Sequence, residues 1–121
     1  MADLNLNDYQ IVLNCVKSEL SGWTHKTIDV VTSATLKNGS VLDDAGVELA
    51  VAGAAGAALV IDDLDMRVNQ YADGTTISVA VVVTDCVLNE PKVEFSDAAL
   101  DATGKAALEA KGLRFSSVAS V

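Results

Sequence analysis

His25 is the only histidine among the 121 residues, and a search for chemistry starts there because imidazole titrates near neutral pH. It stands between Thr24 and Lys26 in a polar stretch, so a solvated side chain in a turn is the expectation. One histidine would suffice for a nucleophile–His–acid arrangement, but a His-rich metal site is ruled out. Asp62, Asp63 and Asp65 cluster, yet the alternating acids and terminal Glu of a calcium loop are missing, which leaves an acidic turn. Asp43-Asp44 is a weaker signal of the same kind. Gly53-Ala54-Ala55-Gly56 has the small residues of a phosphate cradle, but no Lys-Ser or Lys-Thr follows and the dinucleotide-loop spacing is not met. Close approach of backbone, within the subunit or between subunits, is the use such residues suggest. No catalytic, cofactor-binding or metal-binding set emerges, so the chain is not expected to be an enzyme or to hold a cofactor.

The thiols are two, Cys15 and Cys86. A pair in a chain of this size is too few for a disulfide scaffold. The first residues, Met-Ala-Asp-Leu-Asn-Leu-Asn-Asp, carry no basic and apolar regions like those of a signal peptide. Synthesis in a reducing cytoplasm with both thiols free is therefore expected, and a single bridge is the alternative. Trp23 follows the Ser21-Gly22 break, where it serves either as a core or sheet-edge anchor or as an interface anchor.

The elements that must position these residues are extended ones. Residues 75–88 are rich in β-branched side chains, and Ile77, Val79, Val81 and Val83 alternate with Ser78, Ala80, Val82 and Thr84. This period of two predicts the central strand. Residues 9–16 are apolar enough for a strand that either joins its own sheet or offers its backbone to another protein's sheet edge. Residues 27–36 predict a strand with a tight hairpin at Asn38-Gly39, and Asp43–Gly46 a second turn leading to a short strand at Val47, Leu49 and Val51. Residues 57–61 suit a buried strand. Residues 66–71 suit another, handed to the central strand by Asp73-Gly74. The order reads as a meander. After the Pro91 turn, Ser96-Asp97 suits the start of a short turn and residues 103–111 predict one helix, stopped by Gly112 with Leu113 folding back onto Leu108.

The totals fit one domain with a thin core: 50% of residues are hydrophobic but only 4% aromatic. A net charge of −9 and a pI near 4.2 repel phosphate backbones and anionic lipid, so neither nucleic acid nor membrane is an expected partner. The eight Lys and Arg residues form no run. The longest apolar run, residues 49–61, is broken by glycines and falls short of the roughly 20 residues a spanning helix needs. Residues alone thus support a small β-rich α+β domain that binds other proteins, such as a virion fibre or adhesin-type module.

From residue 35 onward the order of features resembles the lambda-type head decoration proteins of bacteriophages. Leu36-Lys37-Asn38-Gly39-Ser40-Val41-Leu42 is similar to that family's hairpin, Ala55-Gly56-Ala57-Ala58-Leu59-Val60-Ile61 to its Ala/Gly run into a short apolar strand, residues 77–88 to its Val-rich strand, and Ala106 to Leu113 to its Gly-stopped helix. The resemblance implies a lambda-type decoration fold and a non-enzymatic virion protein. Such a protein binds the outside of a phage capsid as a homotrimer, contacts the major capsid protein and cements the head. It also implies a division into residues 1–26, an N-terminal arm or edge strand, and 27–121, the decoration domain. Tyr9, Ile11, Val12, Leu13 and Trp23 are then the candidate capsid-binding residues. Arms of that family are polar and flexible, whereas Ile11-Val12-Leu13 is apolar, which favours an ordered strand.

Overall fold

A computed structural model describes residues 12–15, 24–63 and 72–116. These form short strands in two sheets and one α-helix, an α+β arrangement as expected. The chain order is β1 (Val12–Cys15), β2 (His25–Val31), β3 (Val41–Leu42), a 3₁₀ helix at Val51–Gly56, β4 (Leu59–Ile61), β5 (Thr76–Val82) and β6 (Cys86–Asn89). A 3₁₀ turn at Glu90–Lys92, α1 (Ala102–Glu109) and β7 (Arg114–Ser116) complete it. One sheet runs β2-β5-β4-β3, all antiparallel; the other runs β1-β6-β7, with β6 and β7 parallel.

The Val-rich stretch over residues 75–88 is two strands rather than one. β5 is interior to the four-stranded sheet and β6 is interior to the three-stranded sheet, so the stretch is central twice. The break lies at Thr84-Asp85, where Asp85 adopts a positive φ of 56°. Asp is among the few residues that tolerate this region, and the bend lets the chain leave one sheet for the other. The crossover is tied down from outside. Thr84 Oγ1 donates to Lys111 O at 2.7 Å, and Asp85 N donates to Gly112 O at 3.2 Å.

The period-two reading of β5 holds. Val79 and Val81 are buried with Ile77 and Val83 packed near them, and Val82 faces the opposite side. On β4, Leu59 and Ile61 share the face of Val79 and Val81, while Val60 joins Val82. Both faces of the four-stranded sheet are thus covered. The first face packs Val41, Val60 and Val82 against Leu88 of β6, Phe95, Leu108 of α1 and Leu113. The second gathers Val30, Leu42, Leu59, Ile61, Val79 and Val81 with Leu36. The turn after β3 curls over β2, the opposite edge strand: a Cβ on Gly46 would stand 3.0 Å from Ile28 Cδ1 and 3.5 Å from Asp29 O.

Several connections differ from the sequence reading. Asn38-Gly39 does make a turn, with Gly39 at φ 92°, but the strands it joins lie on opposite edges of their sheet, so it closes no hairpin. Ser40 and Glu94 bridge instead, and Lys37 and Glu94 form an ion pair. Only β3, β4 and β5 follow one another as a meander. The short strand at Val47, Leu49 and Val51 reduces to an isolated bridge between Leu42 and Glu48. Residues 51–56 wind into the 3₁₀ helix because Gly and Ala bring no bulk between this turn and α1; Ala54 and Ala57 reach the core beside Leu108. The short turn expected at Ser96-Asp97 is present, Phe95 N donating to Ala98 O at 2.8 Å and Glu94 bridging Ala99, and from it Asp97 Oδ1 accepts a hydrogen bond from Val51 N at 2.9 Å. The strand expected at residues 66–71 lies outside the described residues.

The helix is where the sequence puts it, shifted by a residue or two. Asp101 is its N-cap, accepting from Gly104 N at 2.8 Å. Its stop is the anticipated one: Gly112 sits at φ 96°, Gly112 N donates to Glu109 O, and Leu113 N donates to Leu108 O. This pair of bonds closes the helix end and brings Leu113 onto Leu108, both fully buried.

Candidate functional site

Of the five residues proposed from the sequence, Val12 and Leu13 lie in β1, while Tyr9, Ile11 and Trp23 lie outside the described residues. β1 pairs antiparallel with β6, with Val12 opposite Leu88, Asn14 opposite Val87 and Cys15 opposite Cys86. Between residues 12 and 14 the register slips, because two steps along β1 match one along β6. Leu13 is the extra residue of this irregularity, which bends a strand and increases its twist. β1 is an edge strand: β6 is its only neighbour among the described residues. Such an edge offers backbone donors and acceptors in a row, the chemistry by which one protein adds a strand to another's sheet.

The opposite edge of this sheet is β7, placed by α1. Lys105 on the helix reaches Glu90 Oε1 at 3.0 Å, and its Nζ lies 5.8 Å from the centre of the Phe115 ring on β7. A single side chain therefore links the turn after β6, the helix and the last strand. The β6–α1–β7 path is what a parallel pair requires, since only a long crossover can return the chain in the same direction.

The residues with chemical potential serve as ties. His25 is not a solvated turn residue; it opens β2, donating from Nε2 to Asp62 Oδ2 at 3.0 Å while Nδ1 lies 2.8 Å from Thr24 Oγ1. The chain Thr24–His25–Asp62 has the connectivity of a hydroxyl–imidazole–carboxylate set. Thr24, however, is buried, and a nucleophile needs room for a substrate beside it. The contact instead joins the start of β2 to the end of β4 across β5. Asp63 acts similarly: its Oδ2 accepts from Ala80 N and its own N–H donates to Asn38 Oδ1, each at 2.8 Å. Asp43 Oδ1 accepts from Ala45 N and Val47 N, both at 2.9 Å, which shapes the turn after β3.

Glu48 was not singled out by the sequence, yet it closes a loop. Its two carboxylate oxygens accept from Ser33 Oγ at 2.6 Å and Thr35 Oγ1 at 2.7 Å. The only signal was a run of hydroxyl residues near an acid distant in sequence. An open depression of about 400 Å³ is lined by Asp43, Asp44, Ala57, Ala107 and Lys111 among others; its walls are methyl groups, two carboxylates and an ammonium, with no nucleophile. Among the described residues no three His, Cys, Asp or Glu side chains gather as a metal site, and no helix is long and apolar enough to cross a membrane.

What the geometry offers is a small, tied-down body in which, among the described residues, β1 forms one edge of the three-stranded sheet. A family model described as bacteriophage PhiTE minor capsid decoration protein matches residues 1–119. The chain belongs to this family. It is a phage capsid decoration protein, associated with the virion, as the resemblance read from residues 35–113 implied. Neither a curated protein nor a solved structure matches the chain.

Proposed function

We propose that this decoration protein binds the outer surface of the head as a homotrimer, contacts the major capsid protein and stabilises the shell without catalysing a reaction. Membership of the capsid decoration family over residues 1–119 is the observation that carries this reading. The acidic composition supports it too, since a net charge of −9 favours protein surfaces over packaged nucleic acid or lipid. Synthesis in the host cytoplasm follows from a protein that must meet the head there during assembly.

The contact is assigned to residues 1–26, with residues 27–121 as the body. Tyr9, Ile11 and Trp23 supply apolar anchors, and the β1 segment holding Val12 and Leu13 presents the edge on which a capsid strand is added. Backbone hydrogen bonds give such a contact its strength, and side chains on alternate positions choose its register. A trimer repeats the contact three times. Linking the sites makes later contacts intramolecular and raises avidity by about 10²–10⁴, so a modest contact suffices for lasting attachment.

Purified protein mixed with undecorated heads is expected to sediment with them and to raise their resistance to heat or chelation, while fully decorated heads take up none. Light scattering on the free protein should give three times the chain mass. A protein that stays in the supernatant overturns the capsid reading, and a monomer mass overturns the trimer.

A further inference from the structure

The register of β1 on β6 sets residues 15 and 86 directly opposite each other, and both are cysteine, the two that the chain possesses. Directly opposed residues of an antiparallel pair share one face of the ribbon, with Cα atoms about 4.5 or 5.5 Å apart depending on their hydrogen-bonding position. Both spacings fall within the roughly 4.4–6.8 Å that a disulfide spans. The two residues stand 71 positions apart in sequence, so only the fold brings them together.

We propose that Cys15 and Cys86 are a cross-strand redox pair, dithiol in the reducing cell and disulfide once the particle is released into an oxidising medium, where the bond fastens β1 to the body. A virion protein passes between these two compartments by the nature of its particle. The oxidant required is a low-molecular-weight disulfide such as oxidised glutathione. One cysteine thiolate attacks it, expelling one glutathione thiolate and forming a mixed disulfide; the second cysteine thiolate attacks the protein sulfur of that bond and expels the other glutathione. Two thiol protons end on the two glutathione molecules, and the two electrons lost by the protein reduce the glutathione disulfide. Cys86 is buried in the core beneath the sheet, which slows attack from solvent in the closed state and makes the opening of β1 the gate for exchange.

The full chain is unfolded in urea with reductant, then refolded in glutathione buffers of graded redox ratio and alkylated under denaturing conditions. The expected product is monomeric, about 2 Da lighter than the dithiol and without alkyl groups, and yields on trypsin digestion a linked pair of peptides 1–17 and 68–92. The native fold should hold the bond against at least a hundredfold more reduced glutathione than the urea-unfolded chain does, because register replaces random encounter. The melting midpoint should rise by roughly 10 °C over the dithiol form, and Cys15→Ser should abolish the mass change and the shift together. Two alkylated thiols, a glutathione adduct that never closes, an interchain dimer, or equal reductant resistance in native and unfolded chains overturns the pairing. Released particles, alkylated before disruption, should yield the linked peptide and particles from unlysed cells should not; any other pattern overturns the change between compartments.

Discussion

The two sheets are built from the same central stretch in contrasting ways. The four-stranded sheet gathers β3, β4 and β5 as near neighbours in the chain and adds β2 alongside β5, all antiparallel, with aliphatic side chains filling both faces. The three-stranded sheet takes β1 from residues 12–15, β6 from the middle and β7 from residues 114–116, one pair of them parallel, and depends on α1 for its crossover. The first is held by its own core. The second is held by its attachments: the helix stop against Thr84-Asp85, the Lys105 link, and the burial of Leu88 against Leu108 and Leu113. β1 is an edge of this second sheet, so the sheet proposed to take up a capsid strand is the one whose integrity is borrowed from elsewhere.

That contrast is open to attack at its strongest joint first. Leu108→Ala removes a fully buried side chain at the meeting of α1 with both sheets and is expected to cost about 3 kcal/mol in urea unfolding. Gly112→Val meets two obstacles, a φ of 96° that a β-branched residue resists and a Cβ that collides with Thr84 Oγ1; a loss of about 2 kcal/mol is expected. In hydrogen exchange, this variant should expose amides of β6 and β7 well before those of β5. Equal acceleration in both sheets would erase the distinction between them.

Smaller changes sharpen it. Glu48→Ala strands the hydroxyls of Ser33 and Thr35 at a partly exposed loop of the four-stranded sheet, and roughly 1 kcal/mol is expected, with exchange at β6 untouched. Lys105→Met keeps most of the apolar stem but removes an ion pair whose partners are both about a third exposed and the charge over Phe115. About 0.5 kcal/mol is expected, raised exchange being confined to β7.

The four-stranded sheet was the more legible part of the sequence because its signal is local. Alternation along residues 77–83 marked β5 and its two faces, and the small apolar run at 57–61 marked β4. The helix with its glycine stop was legible for the same reason, since cap and contact partner lie within one turn. The division of residues 75–88 was not, because Thr84 and Asp85 sit in a run of strand-forming residues, and the bend depends on contacts from Lys111 and Gly112, far along the chain. The Asn38-Gly39 turn was visible but its partners were not, as a turn signal says nothing of which strands lie beside it. The candidate contact was legible only as an apolar segment ahead of a Ser-Gly break; that β1 lies against β6, with Leu13 as the extra residue, follows from long-range pairing that no local pattern encodes.

The central claim is that residues near the start of the chain attach a self-supporting body to the phage head. Removing residues 1–11 leaves β1 and every described contact in place while deleting Tyr9 and Ile11. Co-sedimentation of this truncated chain with undecorated heads, measured beside the full chain across a range of concentrations, tests the claim directly. The account predicts an unchanged melting midpoint and at least a hundredfold weaker binding, the loss of a repeated contact being multiplied by avidity. A truncated chain that sediments with heads as tightly as the full one would contradict it.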